Sequence, residues 1–325
     1  MKFSVHTEVW PASRPFRITG KVWNSFDSVV VELEQDGFVG RGEGLGVYYK
    51  DESAEVMIGQ LEQIASSVTA GLTRANLQKL LPPGGARNAL DCALWDLEAK
   101  ASGRRIWDLT GVAPKKLTTV FTIGIESTPE IMAQHAAEAA EYPLLKVKLD
   151  ATQPLERIQA IRKARPDARI VVDANQGWSF AQLKQIAPGF ADAGVEMIEQ
   201  PLPRGGDAEL EGYRSPVPLG ADESCLHMGE LADAAKRYQM INIKLDKTGG
   251  LTHALELARA ARDRGMGLMV GSMCGSSLAM APTFVIGCIV DLVDIDGPLL
   301  LKRDRLPGIV YERGVGMPFG AEVWG

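Results

Sequence analysis

The chain has 325 residues, of which 46% are hydrophobic and 23% charged, and its formal net charge at pH 7 is −6. This length and apolar content predict a sizeable core, in one large barrel or in a barrel with a smaller domain. The acidic balance, with no basic tail, argues against nucleic acid or an anionic membrane surface as the main partner.

The four cysteines are scattered and form no Cys-x-x-Cys pair. This spacing predicts small buried side chains rather than zinc ligands or disulfides. No apolar run approaches the ~18 residues that a membrane span needs, and the first residues show no apolar signal core. We therefore expect a soluble, cytoplasmic protein.

The first third of the chain predicts an α+β domain. Alternating apolar and polar residues flank Asp36-Gly37, which is a hairpin signal. Helical periodicity then predicts a long helix over 85–102. We assign residues 1–115 to this domain and expect residues 310–325 to complete it.

From about residue 116 to residue 309 the pattern changes to short apolar runs that alternate with helical segments. The runs are 118–124, 144–148, 169–173, 196–199, 217–221, 240–244, 267–271 and 292–296. Eight strands with intervening helices predict a TIM-like (β/α)7β barrel rather than an open sheet. Its active site is expected at the C-terminal ends of the strands, under an N-terminal capping domain.

Charged or polar side chains end most of these predicted strands. They are Lys146 and Lys148, Asp173 and Asn175, Glu199, Asp222 and Glu223, Lys244, Ser272, and Asp294 and Asp296. A single acid after a strand commonly caps the next helix, but capping does not explain Asp173, Glu199 and Asp222 on three adjacent strands. These three carboxylates predict a hard-oxygen site for Mg²⁺, or for Mn²⁺, rather than a zinc site.

Lys146 and Lys148 lie two residues apart in an apolar strand, so their side chains face the same way. Mutual repulsion and lost hydration lower a lysine pKa, which suits a base near neutral pH. Taken alone, this segment fits a solvent-facing edge strand equally well.

Lys244, on the sixth predicted strand, would lie across the barrel from Lys148. We predict that Lys148 removes a proton next to a substrate carboxylate and that Lys244 returns one to the opposite face. A metal ion would stabilise the enediolate between these steps. The alternative is a set of structural salt bridges inside the barrel.

These motifs resemble the enolase superfamily, its muconate-lactonizing subgroup, and more narrowly the dipeptide epimerases of the L-Ala-D/L-Glu type. The resemblance covers nearly the whole chain. Its K-x-K falls on Lys146-Val147-Lys148, its three metal ligands on Asp173, Glu199 and Asp222, and its opposing lysine on Lys244. It implies an isomerase acting on a small molecule with Mg²⁺, and a homo-oligomer.

The family's Asp-x-Asp at the last barrel strand, which binds a substrate ammonium group, falls on Asp294 and Asp296. Two acids on one strand face suit a cation. A dipeptide carries that ammonium group, so we prefer a dipeptide epimerase to an N-acylamino acid racemase, a cycloisomerase or a dehydratase. A non-catalytic metal-binding barrel is the alternative from another class.

The resemblance places substrate specificity in two capping segments, Arg17–Phe26 and Val47–Asp51. Arg17 and Tyr48 are predicted substrate contacts there, beside Thr122 and Ser272 at strand ends. The cationic and aromatic residues of these segments suit an acidic C-terminal residue such as Glu, although each one also fits an ordinary solvated surface. The chain departs from the pattern at Gly275, where relatives often carry a Glu.

Overall fold

The first three strands form an antiparallel sheet of their own in the computed structural model, which describes all residues from Met1 to Gly325. They are β1 (Lys2–Ile18), β2 (Lys21–Gln35) and β3 (Phe38–Leu45). The β2–β3 turn is the predicted Asp36-Gly37 hairpin. The sequence did not predict β1, because most of its residues are exposed and give no apolar alternation.

Five helices follow the sheet: α1 (Ala54–Gln63), α2 (Ala65–Thr69), α3 (Arg74–Leu80), α4 (Gly85–Ser102) and α5 (Ile106–Thr110). Helix α4 has the predicted bounds and packs on β3 along alternate glycines. A Cβ atom at Gly42 would lie 2.0 Å from the carbonyl oxygen of Ala89, so a side chain there would separate the helix from the sheet.

A short strand, β4 (Leu117–Thr118), leads into an eight-stranded parallel sheet whose strands follow chain order. They are β5 (Phe121–Ile123), β6 (Leu144–Lys148), β7 (Arg169–Asp173), β8 (Val195–Glu199), β9 (Leu219–Ala221), β10 (Met240–Lys244), β11 (Gly267–Gly271) and β12 (Leu292–Val293). One backbone hydrogen bond, from Val120 N to Val293 O at 2.9 Å, links the first strand to the last. The predicted barrel with its N-terminal capping domain is confirmed.

The helices around the barrel are α6 (Pro129–Glu138), α7 (Pro154–Ala164), α8 (Phe180–Asp192), α9 (Leu231–Arg237), α10 (Leu245–Thr248), α11 (Leu251–Arg262), α12 (Ser277–Gly287) and α13 (Gly297–Leu300). Between β8 and β9 there is only a 3₁₀ turn at Ala208–Leu210. Helix α12 is buried along its whole length. It packs against both β11 and β3, so it lies between the barrel and the capping sheet.

The end of the chain returns to both parts of the molecule. Strand β13 (Tyr311–Glu312) pairs with β14 (Val315–Gly316), and β14 pairs with β4. The indole of Trp324 then donates to the carbonyl oxygen of Arg41 at 3.0 Å. The division at residues 115 and 310 stays a prediction. No helix of this fold combines the length and the apolar character that crossing a membrane would require.

Candidate active site

The C-terminal ends of the barrel strands and the capping domain enclose a cavity of about 500 Å³. Three lysines reach it from the barrel, Lys146, Lys148 and Lys244, and two acids reach it from the last strand end. The β1–β2 hairpin and the 3₁₀ helix Tyr48–Lys50 supply an aromatic wall on the other side. The predicted location at the strand ends agrees with this cavity.

Strand register explains why lysines and carboxylates meet at the cavity floor. Lys148 pairs with Asp173 across β6 and β7, and Asp173 pairs with Glu199 across β7 and β8. The Lys148 ammonium donates to Asp173 Oδ2 at 2.6 Å. Lys146 Nζ lies 2.8 Å from Glu199 Oε2 and 3.2 Å from Asp173 Oδ2. All four groups are buried.

Lys146 is a permanent cation of this floor. Burial by itself lowers its pKa, but the carboxylates of Asp294, Glu199 and Asp173 outweigh burial and hold the pKa well above its usual value. The expectation of a lowered lysine pKa is therefore wrong for Lys146. Its three carboxylate neighbours, all contributed by other strands, could not be seen within the strand sequence.

Lys244 faces Asp222 on the neighbouring strand, with its ammonium 2.7 Å from Asp222 Oδ2. Burial lowers the pKa of Lys244, but the carboxylates, first Asp222 and then Glu199, together raise it by more, so the net shift is upward. The protonated state predicted for Lys244 is consistent with this direction. Three strands, β7, β8 and β9, separate β10, which carries Lys244, from β6, which carries Lys148, as the two-lysine hypothesis requires.

The three predicted metal ligands lie on β7, at the end of β8 and directly after β9, but no three His, Cys, Asp or Glu side chains are arranged around a metal position. Ammonium groups lie between the acids instead, with Lys146 bridging Asp173 and Glu199. Glu199 Oε2 is buried and has no hydrogen bond beside its ion pair with Lys146, and Asn175 Oδ1 is buried with no hydrogen bond. Hard oxygen donors that already surround a cation, with acceptor capacity left over, fit a divalent ion such as Mg²⁺.

The pKa values of the acids shift in different directions in this environment. Burial raises the pKa of Asp173 and Asp222, but the neighbouring lysines reverse this and hold both below their usual value. For Glu199, burial and the charge of Asp173 leave the pKa raised. Glu223 is buried with both carboxylate oxygens unpaired, and burial and Asp222 raise its pKa to about 8.

Asp294 and Asp296 are not equivalent. Asp294 Oδ2 accepts a hydrogen bond from Lys146 at 2.7 Å, so this acid is already paired within the protein. Asp296 Oδ2 accepts only the backbone N–H of Thr122, at 2.7 Å. Burial and the charge of Asp294 raise the pKa of Asp296 to about 8. Thr122 thus orients Asp296 through its main chain, besides lining the cavity.

The capping wall combines aromatic rings with one free cation. Lys21 Nζ lies 4.9 Å from the ring centre of Trp23 and 4.7 Å from that of Tyr48, and it forms no ion pair. Tyr48 and Ser272 line the cavity as predicted contacts should. Arg17 does not line it, and its guanidinium is directed to Glu126 at 3.7 Å. Alternation along β1 places Arg17 on the opposite face from Phe16 and Ile18, which do line the cavity.

Gly275 has no room for a glutamate side chain. A Cβ atom there would lie 2.6 Å from Ala279 Cβ and 2.8 Å from Leu45 Cδ1. A carboxylate is supplied nearby by Glu43 of the capping sheet, whose Oε1 accepts the N–H of Ser276 at 3.0 Å. Sequence reasoning missed Glu43, because β3 gave no sign that it approaches the barrel.

Sequence reasoning also missed two polar residues beside Lys244. Asn242 donates to Glu199 Oε1 at 2.7 Å, and Lys247 donates to Asp222 Oδ1 at 2.7 Å. Asn242 faces the same way as Lys244 because it lies two residues earlier on the strand. This spacing was the available signal for Asn242, whereas Lys247 follows the strand in α10 and had none.

Models of two protein families match the chain. Residues 1–111 match the N-terminal domain of mandelate racemase and muconate lactonizing enzyme, and residues 131–299 match the enolase C-terminal domain-like family. The chain is 44% identical over 313 residues to an L-Ala-D/L-Glu epimerase of Escherichia coli (strain K12), covering 95% of this chain and 97% of that protein. It is 40% identical over 299 residues to an N-acetyl-D-glutamate racemase of a Pseudoalteromonas species, covering 91% and 95%.

Solved structures similar to this chain also include dipeptide epimerases. An enolase family member from Agrobacterium tumefaciens with homology to dipeptide epimerases, solved with bound sodium and L-Ala-L-Glu, superposes with a TM-score of 0.97 at 42% identity over 99% of each chain. A dipeptide epimerase from Enterococcus faecalis V583, complexed with Mg and L-Leu-L-Tyr, superposes with a TM-score of 0.90 at 26% identity, covering 98% of this chain and 96% of that one.

Proposed function

Since the chain belongs to the enolase superfamily, with the two domains of its mandelate racemase and muconate lactonizing enzyme branch, we propose that it is a Mg²⁺-dependent dipeptide epimerase. The family predicted from its motifs is confirmed, and so is the assignment as an isomerase of amino acid derivatives. L-Ala-D/L-Glu is the proposed substrate pair, because the related proteins at 44% and 42% identity are named for it or bind it.

The observation that carries the proposal is the pair of buried lysines on strands that face each other across the floor carboxylates. Lys148, acting as a base in its neutral form, accepts the α-proton of the C-terminal residue from one face. Lys244, held protonated by Asp222, donates a proton to the other face. In the reverse direction the two lysines exchange roles, so either configuration is converted into the other.

Asp173, Glu199 and Asp222 are the residues that would hold the metal ion. When bound, a divalent cation stabilises negative charge that develops on the substrate carboxylate during proton removal. Mg²⁺ is supported by the E. faecalis relative, and Mn²⁺ suits the same oxygen donors. Lys146 adds a fixed positive charge beside Lys148, because three carboxylates keep it protonated.

Two further contacts fit a dipeptide with an acidic end. Asp296 can accept the α-ammonium group, because Asp294 is already paired with Lys146. Lys21 offers the one free ammonium group of the capping wall, in reach of a side-chain carboxylate that enters the cavity. Oligomeric state and cellular location stay predictions from the sequence.

The test is deuterium incorporation. The chain, loaded with Mg²⁺, is incubated in D₂O with a panel of dipeptides that includes L-Ala-L-Glu, and the products are read by NMR and chiral chromatography. We expect deuterium at the α-carbon of the C-terminal residue only, formation of the L,D isomer, and loss of both on addition of EDTA. Absence of exchange with every dipeptide would refute the proposal.

A second candidate, racemisation of N-acylated amino acids, is favoured by one observation. With a pKa of about 8, Asp296 is a neutral carboxyl at pH 7 until a cation arrives, so it tolerates an uncharged acyl group. One of the named relatives acts on N-acetyl-D-glutamate. The ratio of kcat/KM for L-Ala-L-Glu to that for N-acetyl-L-glutamate decides between the two, and a ratio below one would favour the racemase.

A further inference from the structure

The segment that carries Lys244 also carries a second buried lysine, and we infer that this residue, Lys247, is a positioning residue for the metal ligand Asp222. Its ammonium donates to Asp222 Oδ1 at 2.7 Å and to the carbonyl oxygen of the same residue at 2.7 Å. It also contacts the carbonyl oxygens of Asn242 at 2.8 Å and Cys225 at 3.2 Å. The inference rests on the metal site of the proposed function.

Lys247 has no capacity left for substrate. An ammonium group has three protons, and four acceptors surround this one. Its side chain is 0% exposed and does not line the cavity. It therefore differs in role from Lys148 and Lys244, whose ammonium groups reach the cavity.

The contacts of Lys247 fix both the direction and the backbone of Asp222. Lys247 binds one carboxylate oxygen and Lys244 the other, so the carboxylate cannot rotate without breaking a charged hydrogen bond. The residues after β9 are held from the opposite side by Gln200, whose Oε1 accepts the N–H groups of Asp222 and Ser224 at 3.0 Å. Lys247 and Gln200 together thus fix the turn that carries the metal ligand Asp222.

Asn242 does the same for Glu199 with a single hydrogen bond. One short stretch, Asn242 to Lys247, therefore contributes the acid–base lysine and orients two of the three metal ligands. Groups that orient metal ligands typically change metal affinity or activity by about 10–100-fold when they are removed.

The experiment measures Mg²⁺ binding by isothermal titration calorimetry on the metal-free chain and on Lys247→Met, with thermal melting as a check of folding. We expect Lys247→Met to bind Mg²⁺ about 10–100-fold more weakly. Arg165→Met is the matched control, because Arg165 is also a buried cation bound to backbone carbonyl oxygens, those of Ala136, Ala139 and Tyr142. It should lower the melting temperature and leave Mg²⁺ affinity unchanged.

If Lys247→Met does not fold, Lys247→Arg tests the inference instead. It keeps the charge, but a planar guanidinium cannot reproduce the compact contacts of the ammonium, so Mg²⁺ affinity should still fall by about 3-fold or more. Parental affinity in a folded Lys247 variant would overturn the inference while leaving the metal site intact. A parent chain that binds no Mg²⁺ would overturn the metal site itself and the inference with it.

Discussion

The cavity floor and the capping wall differ in how tightly their charged groups are held. On the floor, Lys146 and Lys148 are almost inaccessible, and each ammonium lies within 2.7 Å of a carboxylate oxygen. On the wall, Lys21 is exposed and contacts only aromatic rings. In the proposed function, the reaction therefore depends on residues that the barrel fixes, whereas selectivity depends on a hairpin that can change without disturbing the core.

Removing either of the two proposed acid–base lysines of the floor, Lys148 or Lys244, should have the largest effect on activity. Lys148→Ala and Lys244→Ala should each lower the rate of epimerisation by about 10²–10⁴-fold, because general acid–base transfer supplies a factor of that size. Each variant should still exchange the α-proton of one isomer, since the other lysine serves the opposite face. The measurement is deuterium exchange by NMR on L-Ala-L-Glu and L-Ala-D-Glu separately.

The exposed Lys163 supplies the control, and Lys163→Ala should behave as the parent does. Full activity in both floor variants would show that the two lysines are not the acid and base. Loss of exchange from both isomers in each variant would mean that the faces are not divided between them.

The next effect should come from Asp296, at the edge of the floor. Asp296→Asn should raise KM for L-Ala-L-Glu by about 10–100-fold, because a charged hydrogen bond to the ammonium group is lost. N-acetyl-L-glutamate lacks that group and provides the internal control in the same steady-state assay. An equal change for both substrates would contradict the assignment of Asp296 to the ammonium group.

A smaller effect is expected on the wall. Lys21→Met should lower kcat/KM for L-Ala-L-Glu by about 3–10-fold, because a partly exposed ion pair contributes little. Activity on a dipeptide with a neutral C-terminal residue should not fall. Lys50→Met is the matched control, since Lys50 contacts the carbonyl oxygen of Pro83 outside the cavity. If Lys21→Met behaved as Lys50→Met does, selectivity would lie elsewhere on the wall.

The smallest effect on catalysis is expected where the two regions join. Asp246, after β10, accepts the N–H of Leu45 at 2.9 Å and the side chain of Asn88 at 2.7 Å, and burial raises its pKa to about 7. The folded state therefore binds this proton more tightly than the unfolded state does. Its contribution to stability falls as pH rises from about 4 to about 7 and is constant above that range.

Asp246→Asn removes this titration. The melting temperature of the variant relative to that of the parent should rise by a few °C across the same pH range, as differential scanning calorimetry would show. Turnover of L-Ala-L-Glu at pH 8 should stay near the parental value. A difference in melting temperature that does not vary with pH would show that Asp246 does not titrate there.

The sequence predicted the floor better than the wall, for a physical reason. Strands β6, β7, β10 and β11 have the predicted bounds, because each is a short apolar run, ended by a charged residue in β6, β7 and β10 and by Gly271 in β11. Their C-terminal ends must meet at one face, so the residues there could be assigned to one site without coordinates.

Contacts between distant segments could not be predicted in this way. Arg17 was assigned to the cavity by its charge, but the register of β1 directs it to Glu126. Lys247 was overlooked because its acceptors are mostly backbone carbonyl groups, which leave no mark in a sequence. Glu43 approaches Ser276 only because the capping sheet packs on α12.

The barrel closes between β5 and β12 with few hydrogen bonds. Asp294 and Asp296, the acids at the substrate end of the cavity, directly follow β12 and lie at that closure. Val120 bonds to Val293, Ile295 donates its N–H to the Thr119 hydroxyl at 3.0 Å, and Thr122 bonds to Asp296. The same strand end thus defines the circumference of the barrel and the width of the pocket. Laboratory evolution toward substrates whose N-terminal end is bulkier or uncharged would have to change residues that also form the hydrogen bonds between β5 and β12. Such variants should need compensating substitutions elsewhere before they accumulate as folded protein.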